Sequence, residues 1–191
     1  VAAALRACAA IHRYLSELEQ PALTPYGAAI VPLPSLVEEI EGKFSETGEM
    51  LDRASPRLAE LRGRGRALQA RIVAKLQQTL EAFASRALLQ DRLITLRGGR
   101  YCLPVKAERV AEVGGIVHAT SASGATVFVE PAEVVALGNE LRIVEQAERE
   151  EVERILHELT QRVGEHVEEV ARSQQSAFQL DAIFARARLA R

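Results

Sequence analysis

A change of hydrophobic period, from helical to alternating and back again, constrains this chain more than any other feature. Leu58, Leu61, Leu68, Ile72, Leu76, Leu80, Phe83 and Ala87 follow one another in steps of three, four or seven residues, the stripe of a helix packed against a second helix. The pattern changes at residue 91. Leu93-Ile94-Thr95-Leu96 is β-prone, Gly98-Gly99 is a two-residue hairpin signal, and Tyr101, Leu103 and Val105 alternate with Cys102, Pro104 and Lys106. A second strand pair follows in Gly115–Thr120 and Ala125–Val129 around the loop Ser121-Ala122-Ser123-Gly124, and Glu130-Pro131 closes the segment. The helical period then resumes through Val134, Leu137, Leu141, Val144, Val152, Ile155 and Leu159. The expected fold is mainly α with a small antiparallel β insertion: long antiparallel helices carrying a β-rich tip.

The flanking segments supply the rest. Leu5, Cys8, Ile11, Leu15 and Leu18 predict a helix over 1–19. Pro21, Pro25, Pro32 and Pro34 make 20–35 a folded-back connection. A short helix is expected from Ser35 as N-cap to about Glu41, with 42–54 a loop. Ser55 as N-cap and Pro56 at the first helical position open the outgoing arm. Over 56–90 it would reach about 50 Å at about 1.5 Å per residue. Each glycine of Arg62-Gly63-Arg64-Gly65-Arg66 costs about 1 kcal/mol against Ala in a helix interior, so a bend or early break is expected there. Pro104 marks its strand as a sheet edge. Gly164 interrupts the returning helix, and Val167, Val170, Phe178, Ile183 and Phe184 carry a third helix over 165–190. The expected organisation is core helices over 1–55, an outgoing arm over 56–90, a β-rich tip over 91–131, a returning arm over 132–162 and a return helix over 163–191.

No catalytic signature is complete. Gly42-Lys43 lacks the preceding Gly and following Ser or Thr of a phosphate loop, and Gly63-x-Gly65 has Leu68 where a dinucleotide fingerprint needs its third Gly. His157-Glu158 has Gln161 where a zinc protease helix needs a second His, and His12, His118, His157 and His166 are scattered. Cys8 and Cys102 form no Cys-x-x-Cys pair and read as buried thiols of a reducing compartment. Aromatics at 4%, with no Trp, argue against a binder that stacks single strands. A net charge of -2 argues against wholesale coating of nucleic acid, while leaving room for local basic patches. No apolar run approaches the roughly 20 residues of a membrane span. The missing initiator Met, and a helical pattern running to Arg191 without a stop signal, suggest a piece of a longer cytoplasmic protein.

Two features rise above this background, the first of them charge on the arms. Arg57, Arg64, Arg71 and Lys75 fall on one flank of the outgoing helix, while the returning helix carries Glu133, Glu140, Glu145, Glu148, Glu150, Glu151, Glu153 and Glu158. The two arms either pair along their length, or the basic flank meets phosphates. The second feature is GGIVHATSASGATVFVEP at 114–131, whose small hydroxyl residues and Gly suit either a tight turn or close approach of the backbone to a phosphate. Arg97, Arg100, Lys106 and Arg109 lie in the neighbouring strands and turns.

GRYCLPVKAE followed by GGIVHATSASGATVFVEPAEVVALGNEL resembles the middle region of the bacterial MutS paralogues of the second type, MutS-II. LPSLVEEIEGKFSETGEMLDRASPRLAELR and QLDAIFARARLA extend the resemblance over nearly the whole chain. It implies core helices, two lever arms and a clamp-like tip that touches the DNA backbone. It also implies a homodimeric parent that binds branched DNA and restrains homologous recombination. That parent would use ATP and Mg in an ATPase domain and carry a C-terminal Smr endonuclease domain. Neither activity is expected in this chain, which should need no cofactor or metal. The expected DNA contacts are Arg97, Arg100, Lys106, Arg109, Ser121, Ser123 and Gly124, with Arg64, Arg71 and Lys75 secondary. The tip is expected to lead because the arm cations have acidic partners to hand and the tip cations have few. The rival expectation is a dimerisation scaffold that grips a ribosome or its RNA.

Overall fold

The structure, a computed structural model, describes residues 1–18 and 20–190. Glu19 and Arg191, which close the expected first helix and the expected return helix, lie outside the described residues. Helices α1 (Ala2–Glu17), α2 (Thr24–Ala29), α3 (Pro34–Lys43) and α4 (Pro56–Ser85) come first. Strands β1 (Thr95–Arg97), β2 (Arg100–Lys106), β3 (Gly115–Thr120) and β4 (Thr126–Pro131) follow, and helices α5 (Ala132–Gly164) and α6 (Val167–Leu189) end the chain. The chain is therefore mainly helical with one small antiparallel sheet, as its periodicity predicts. It divides into two compact units, Val1–Pro56 with Val152–Arg191, and Arg57–Glu151. No helix among the described residues is long and apolar enough to cross a membrane.

In the first unit, Cys8, Leu15, Ile30 and Leu180 form one buried cluster, and Leu5, Leu36 and Val37 another. The proline-rich connection is not all loop. Pro25 sits in the first turn of α2, where the missing N–H costs nothing. Pro34 does the same for α3, so the cap of that helix is Leu33 and Ser35 lies inside the first turn. Residues 42–54 are also more ordered than expected, with a Phe44–Met50 bridge and a 3-10 turn over Asp52–Ala54. Helix α6 buries Ser173, Ser176 and Leu180, while Val167, Phe178, Ile183 and Phe184 are exposed. The serines belong inside because each has a backbone partner: Ser173 Oγ accepts Val31 N–H at 2.9 Å, and Ser176 Oγ donates to Tyr26 O at 2.8 Å.

In the second unit a single buried cluster joins α4, α5 and the sheet. Leu68, Ile72 and Leu76 of α4 share it with Leu141 and Val144 of α5, and with Leu103, Val105, Val127 and Val129 of the strands. Leu137 packs at its margin, while Ile155 is buried in the first unit. The expected break in α4 is absent, for the helix runs unbroken through Gly63 and Gly65. Arg62 and Arg64 each ion-pair with a glutamate of α5, and Gly65 faces Val144, so tertiary contacts offset the poor propensity. The helix does stop early, at Ser85. Ala87 takes a left-handed φ of 55°, with Leu88 N–H bonded to Phe83 O and Ala87 N–H to Ala84 O. These bonds form a Schellman C-cap, which removes Ala87 from the helical stripe.

The strand order is β1-β2-β4-β3. Pro104 therefore stands in an interior strand rather than at an edge. It pairs with Phe128 of β4, and on the other side its carbonyl accepts Gln90 N–H at 2.9 Å. The N–H and C=O of one strand residue point the same way. The ring nitrogen thus faces the place where the neighbour of β2 changes from β1 to the 88–90 segment, and no bond to β4 is lost.

Candidate nucleic-acid interface

The β1–β2 hairpin turns through Gly98 and Gly99, with φ of 58° and 74°, the two left-handed residues a tight hairpin demands. This register sets Arg97 directly across from Arg100, two cations side by side. They part company at their tips. The Arg97 guanidinium lies over the Phe128 ring, 4.1 Å from its centre. Arg100 turns inward, donating from Nη1 to Glu130 Oε1 at 3.2 Å and from Nη2 to Asn139 Oδ1 at 2.7 Å. Arg142 of α5 pins the turn itself by donating to Gly98 O at 2.6 Å.

Glu130 is 2% exposed and is held from both sides. The ladder between β3 and β4 slips between Val117 and Ala119, leaving His118 as the extra residue of a bulge. The bulge brings His118 Nε2 within 2.8 Å of Glu130 Oε2. Helix α5 leaves space for this group with Gly138, where a Cβ would lie 2.6 Å from Glu130 Oε1 and 2.9 Å from Arg100 Nη1. Burial, and secondarily the charge of Glu130, push the nearby Cys102 thiol up to about 11, which suits an inert core thiol rather than a nucleophile. No buried side-chain polar atom lacks a partner, and no metal-binding group of His, Cys, Asp and Glu forms, among the described residues.

The expected tip residues are thus not a set of free cations. Arg100 is spent on Glu130 and Asn139. Arg109 is bound by Glu112 of its own 3-10 turn, Ala107–Glu112, through a bidentate contact. Arg97 lies on Phe128, and only Lys106 of the four has no side-chain partner among the described residues. In the 121–124 loop, Ser121 Oγ accepts Thr126 N–H at 3.0 Å and Ser121 O accepts Gly124 N–H at 2.9 Å. Ser123 Oγ accepts Ala125 N–H at 3.5 Å, so both hydroxyls serve the turn.

The arm shows the opposite departure. Arg57 meets Glu151 at 3.9 Å, Arg62 meets Glu148 at 2.8 Å and Arg64 meets Glu140 at 2.6 Å. Arg71 and Lys75, one turn apart, are exposed and have no side-chain partner among the described residues. The premise that arm cations are paired and tip cations unpaired is corrected residue by residue. Sequence reasoning also passed over Glu130, His118, Gly138 and Asn139. The signal was present, since an acid closing the apolar run Val127-Phe128-Val129 needs a buried partner. Neither segment weighed as a nucleotide loop forms one, for Gly63 and Gly65 lie inside α4. Gly42 and Lys43 lie in the last turn of α3, with Lys43 Nζ 3.5 Å from Glu39 rather than in a phosphate-cradling loop.

No family model matches the chain. Similarity to individual proteins is extensive. The chain is 44% identical over 169 residues to "Endonuclease MutS2" of Geobacillus thermodenitrificans, covering 88% of this chain and 22% of that protein. It is 40% identical over 190 residues to "Endonuclease MutS2" of Pelotomaculum thermopropionicum, covering 98% and 24%. It is 37% identical over 171 residues to "Putative endonuclease MutS2" of Bacillus subtilis, covering 90% and 22%. Nearly the whole chain therefore matches one region, less than a quarter in length, of MutS2 proteins.

Proposed function

We propose that this chain is the lever and clamp region of a MutS2-type protein, contacting the DNA backbone without regard to sequence. Its α4 and α5 would couple that contact to ATPase and Smr nuclease domains carried elsewhere in the parent. In this reading the parent is a cytoplasmic, nucleoid-associated homodimer that engages branched DNA and restrains homologous recombination. The fragment itself hydrolyses neither ATP nor DNA.

The observation that carries the reading is the distribution of unneutralised positive charge. The whole chain is net -2, yet the unit Arg57–Glu151 holds fourteen Lys and Arg against twelve Asp and Glu. Within it Arg71, Lys75, Arg92 and Lys106 have no side-chain partner among the described residues. Cations already in ion pairs have surrendered part of what a phosphate would gain, whereas these four have not. Titration of the chain with duplex DNA, a four-way junction and duplex RNA over a salt series tests this. Binding to DNA should weaken steeply with salt, with a slope of about 0.9 per phosphate contacted. Salt-independent binding, or binding to RNA alone, would favour the ribosome-gripping scaffold instead.

A further inference from the structure

Arg86, Arg109 and Glu112 come from two separate elements and meet at one carboxylate. Arg86 directly follows α4, and Arg109 and Glu112 belong to the 3-10 turn Ala107–Glu112. Arg109 grips Glu112 with both Nε and Nη2, the latter 3.0 Å from Oε2. Arg86 Nη2 approaches the same Oε2 to 3.7 Å. The three side chains are 54%, 36% and 43% exposed, so an incoming ligand can reach them.

An ordinary surface pair needs one arginine per carboxylate. Here two guanidinium groups converge on one oxygen, and a single carboxylate cannot neutralise both. Arg109 Nη2 also lies 3.5 Å from Arg86 O, which keeps the two residues together. Lys106, three residues before Arg109, is a third cation and is unpartnered among the described residues. Glu108 offsets one of these charges without entering the contact. Two guanidinium groups around an oxyanion form the fork that recognises a phosphate.

We propose that Arg86 and Arg109 form a phosphate-binding fork, and that Glu112 occupies the phosphate's place until a nucleic-acid backbone displaces it. The inference rests on the DNA-binding reading above and adds a site and a competitor to it. The bond from Arg109, aided by the charges of Arg109 and Arg86, holds the Glu112 carboxyl below the usual range, so the competitor is anionic at neutral pH. A backbone phosphate must outcompete it, which makes the fork weak for stray anions and selective for a ligand anchored elsewhere on the same face.

The test uses the 191-residue chain and a 20-base-pair DNA duplex between about 50 and 200 mM salt. Glu112→Gln leaves the fork without its anionic competitor and should tighten binding at the lowest salt by about three- to tenfold. One added phosphate contact steepens the salt slope by about 0.9, so the loss of affinity across that range should grow about threefold. Glu108→Gln removes the same charge beside the fork but leaves Glu112 in place, and should change binding far less. Adding Arg86→Ala and Arg109→Ala to Glu112→Gln should abolish the gain. The fork is overturned if Glu112→Gln binds no tighter than a parent that does bind, if Glu108→Gln matches it, or if the gain survives without the arginines. Failure of both parent and Glu112→Gln to bind the duplex would overturn the fork and the DNA-binding reading together.

Discussion

His118 Nε2 lies 2.8 Å from Glu130 Oε2, and it reaches that carboxylate only because a bulge inserts His118 as an unpaired residue between Val117 and Ala119. With Arg100 on the other oxygen, one buried acid ties β2, β3 and β4 together, and Asn139 extends the network to α5 through Arg100. A buried charge with satisfied partners specifies one arrangement of these elements, because removing Arg100 or Glu130 leaves the other without its ionic partner.

Removing Arg100 should therefore cost far more than its exposure suggests. Arg100→Ala leaves Glu130 buried with one of its two partners gone, and is expected to destabilise the chain by about 3–5 kcal/mol. His118→Ala removes a single hydrogen bond and should cost about 1–2 kcal/mol. Replacing Arg100 and Glu130 together by methionine should cost less than Arg100→Ala alone, since no charge is then stranded. Urea unfolding of the three variants measures the order. Equal stability of Arg100→Ala and the parent would mean that Glu130 is solvated.

Two glycines inside helices should respond to alanine in opposite directions. Gly63 has nothing within 4 Å of a built Cβ, so Gly63→Ala should stabilise α4 by about 1 kcal/mol, the ordinary propensity gain. Gly138 has Glu130 Oε1 at 2.6 Å from that position and Arg100 Nη1 at 2.9 Å. Gly138→Ala must push apart a buried ion pair, and a loss of about 1–3 kcal/mol is expected. Melting temperatures that moved the same way in both variants would contradict this account.

How much of this was legible in the sequence differs by scale. The stripe from Leu58 to Phe83, the Gly98-Gly99 turn and the return of helical spacing at Val134 placed α4, the sheet and α5, because each is a local pattern with one low-energy solution. What escaped was whatever depended on a partner distant in sequence. Pro104 looked like an edge residue because a sequence does not show that its nitrogen meets a change of neighbour. Phe178 and Phe184 looked like core, and Ser173 and Ser176 did not, because the backbone groups that satisfy these serines lie about 140 to 150 residues away. The cation inventory failed for the same reason at Arg97 and Arg100, whose partners Phe128 and Glu130 lie about 30 residues away. Glu112 sits three residues from Arg109 and was visible, but Arg86 joins it only through the turn at Ala87.

That turn carries its own prediction. Ala87 holds φ of 55°, a conformation costing a non-glycine residue about 1–2 kcal/mol. Glycine takes it freely and is the usual residue at this position of a Schellman cap. Ala87→Gly should be neutral to stabilising, by up to about 1 kcal/mol after the added freedom of the unfolded chain is deducted. Calorimetry decides it, and a loss of more than about 1 kcal/mol would mean that the cap geometry is wrong.

The arm cations should separate stability from binding. Arg62 and Arg64 are joined to Glu148 and Glu140 at 2.8 Å and 2.6 Å, and partly exposed pairs of this kind contribute about 0–1 kcal/mol. Arg64→Ala should therefore lower stability slightly. Its effect on DNA affinity should be small, because the unmutated guanidinium is already engaged. Arg71 and Lys75 have no such engagement, and their removal should leave the melting temperature unchanged within error. Their side chains rise from one flank of α4 four residues apart, about 6 Å along the axis, so both can follow a single phosphate backbone. Arg71→Ala with Lys75→Ala should weaken duplex binding and reduce the salt slope by about 0.9 for each phosphate no longer bound, up to about 1.8. Arg100→Ala is the informative contrast, since it disturbs the fold while removing a cation that faces Glu130 rather than solvent. If Arg71 and Lys75 can be removed without changing either affinity or slope, while Arg64→Ala abolishes binding, then ion pairing does not decide which cations meet DNA, and the assignment of the binding face to unpaired charges must be given up.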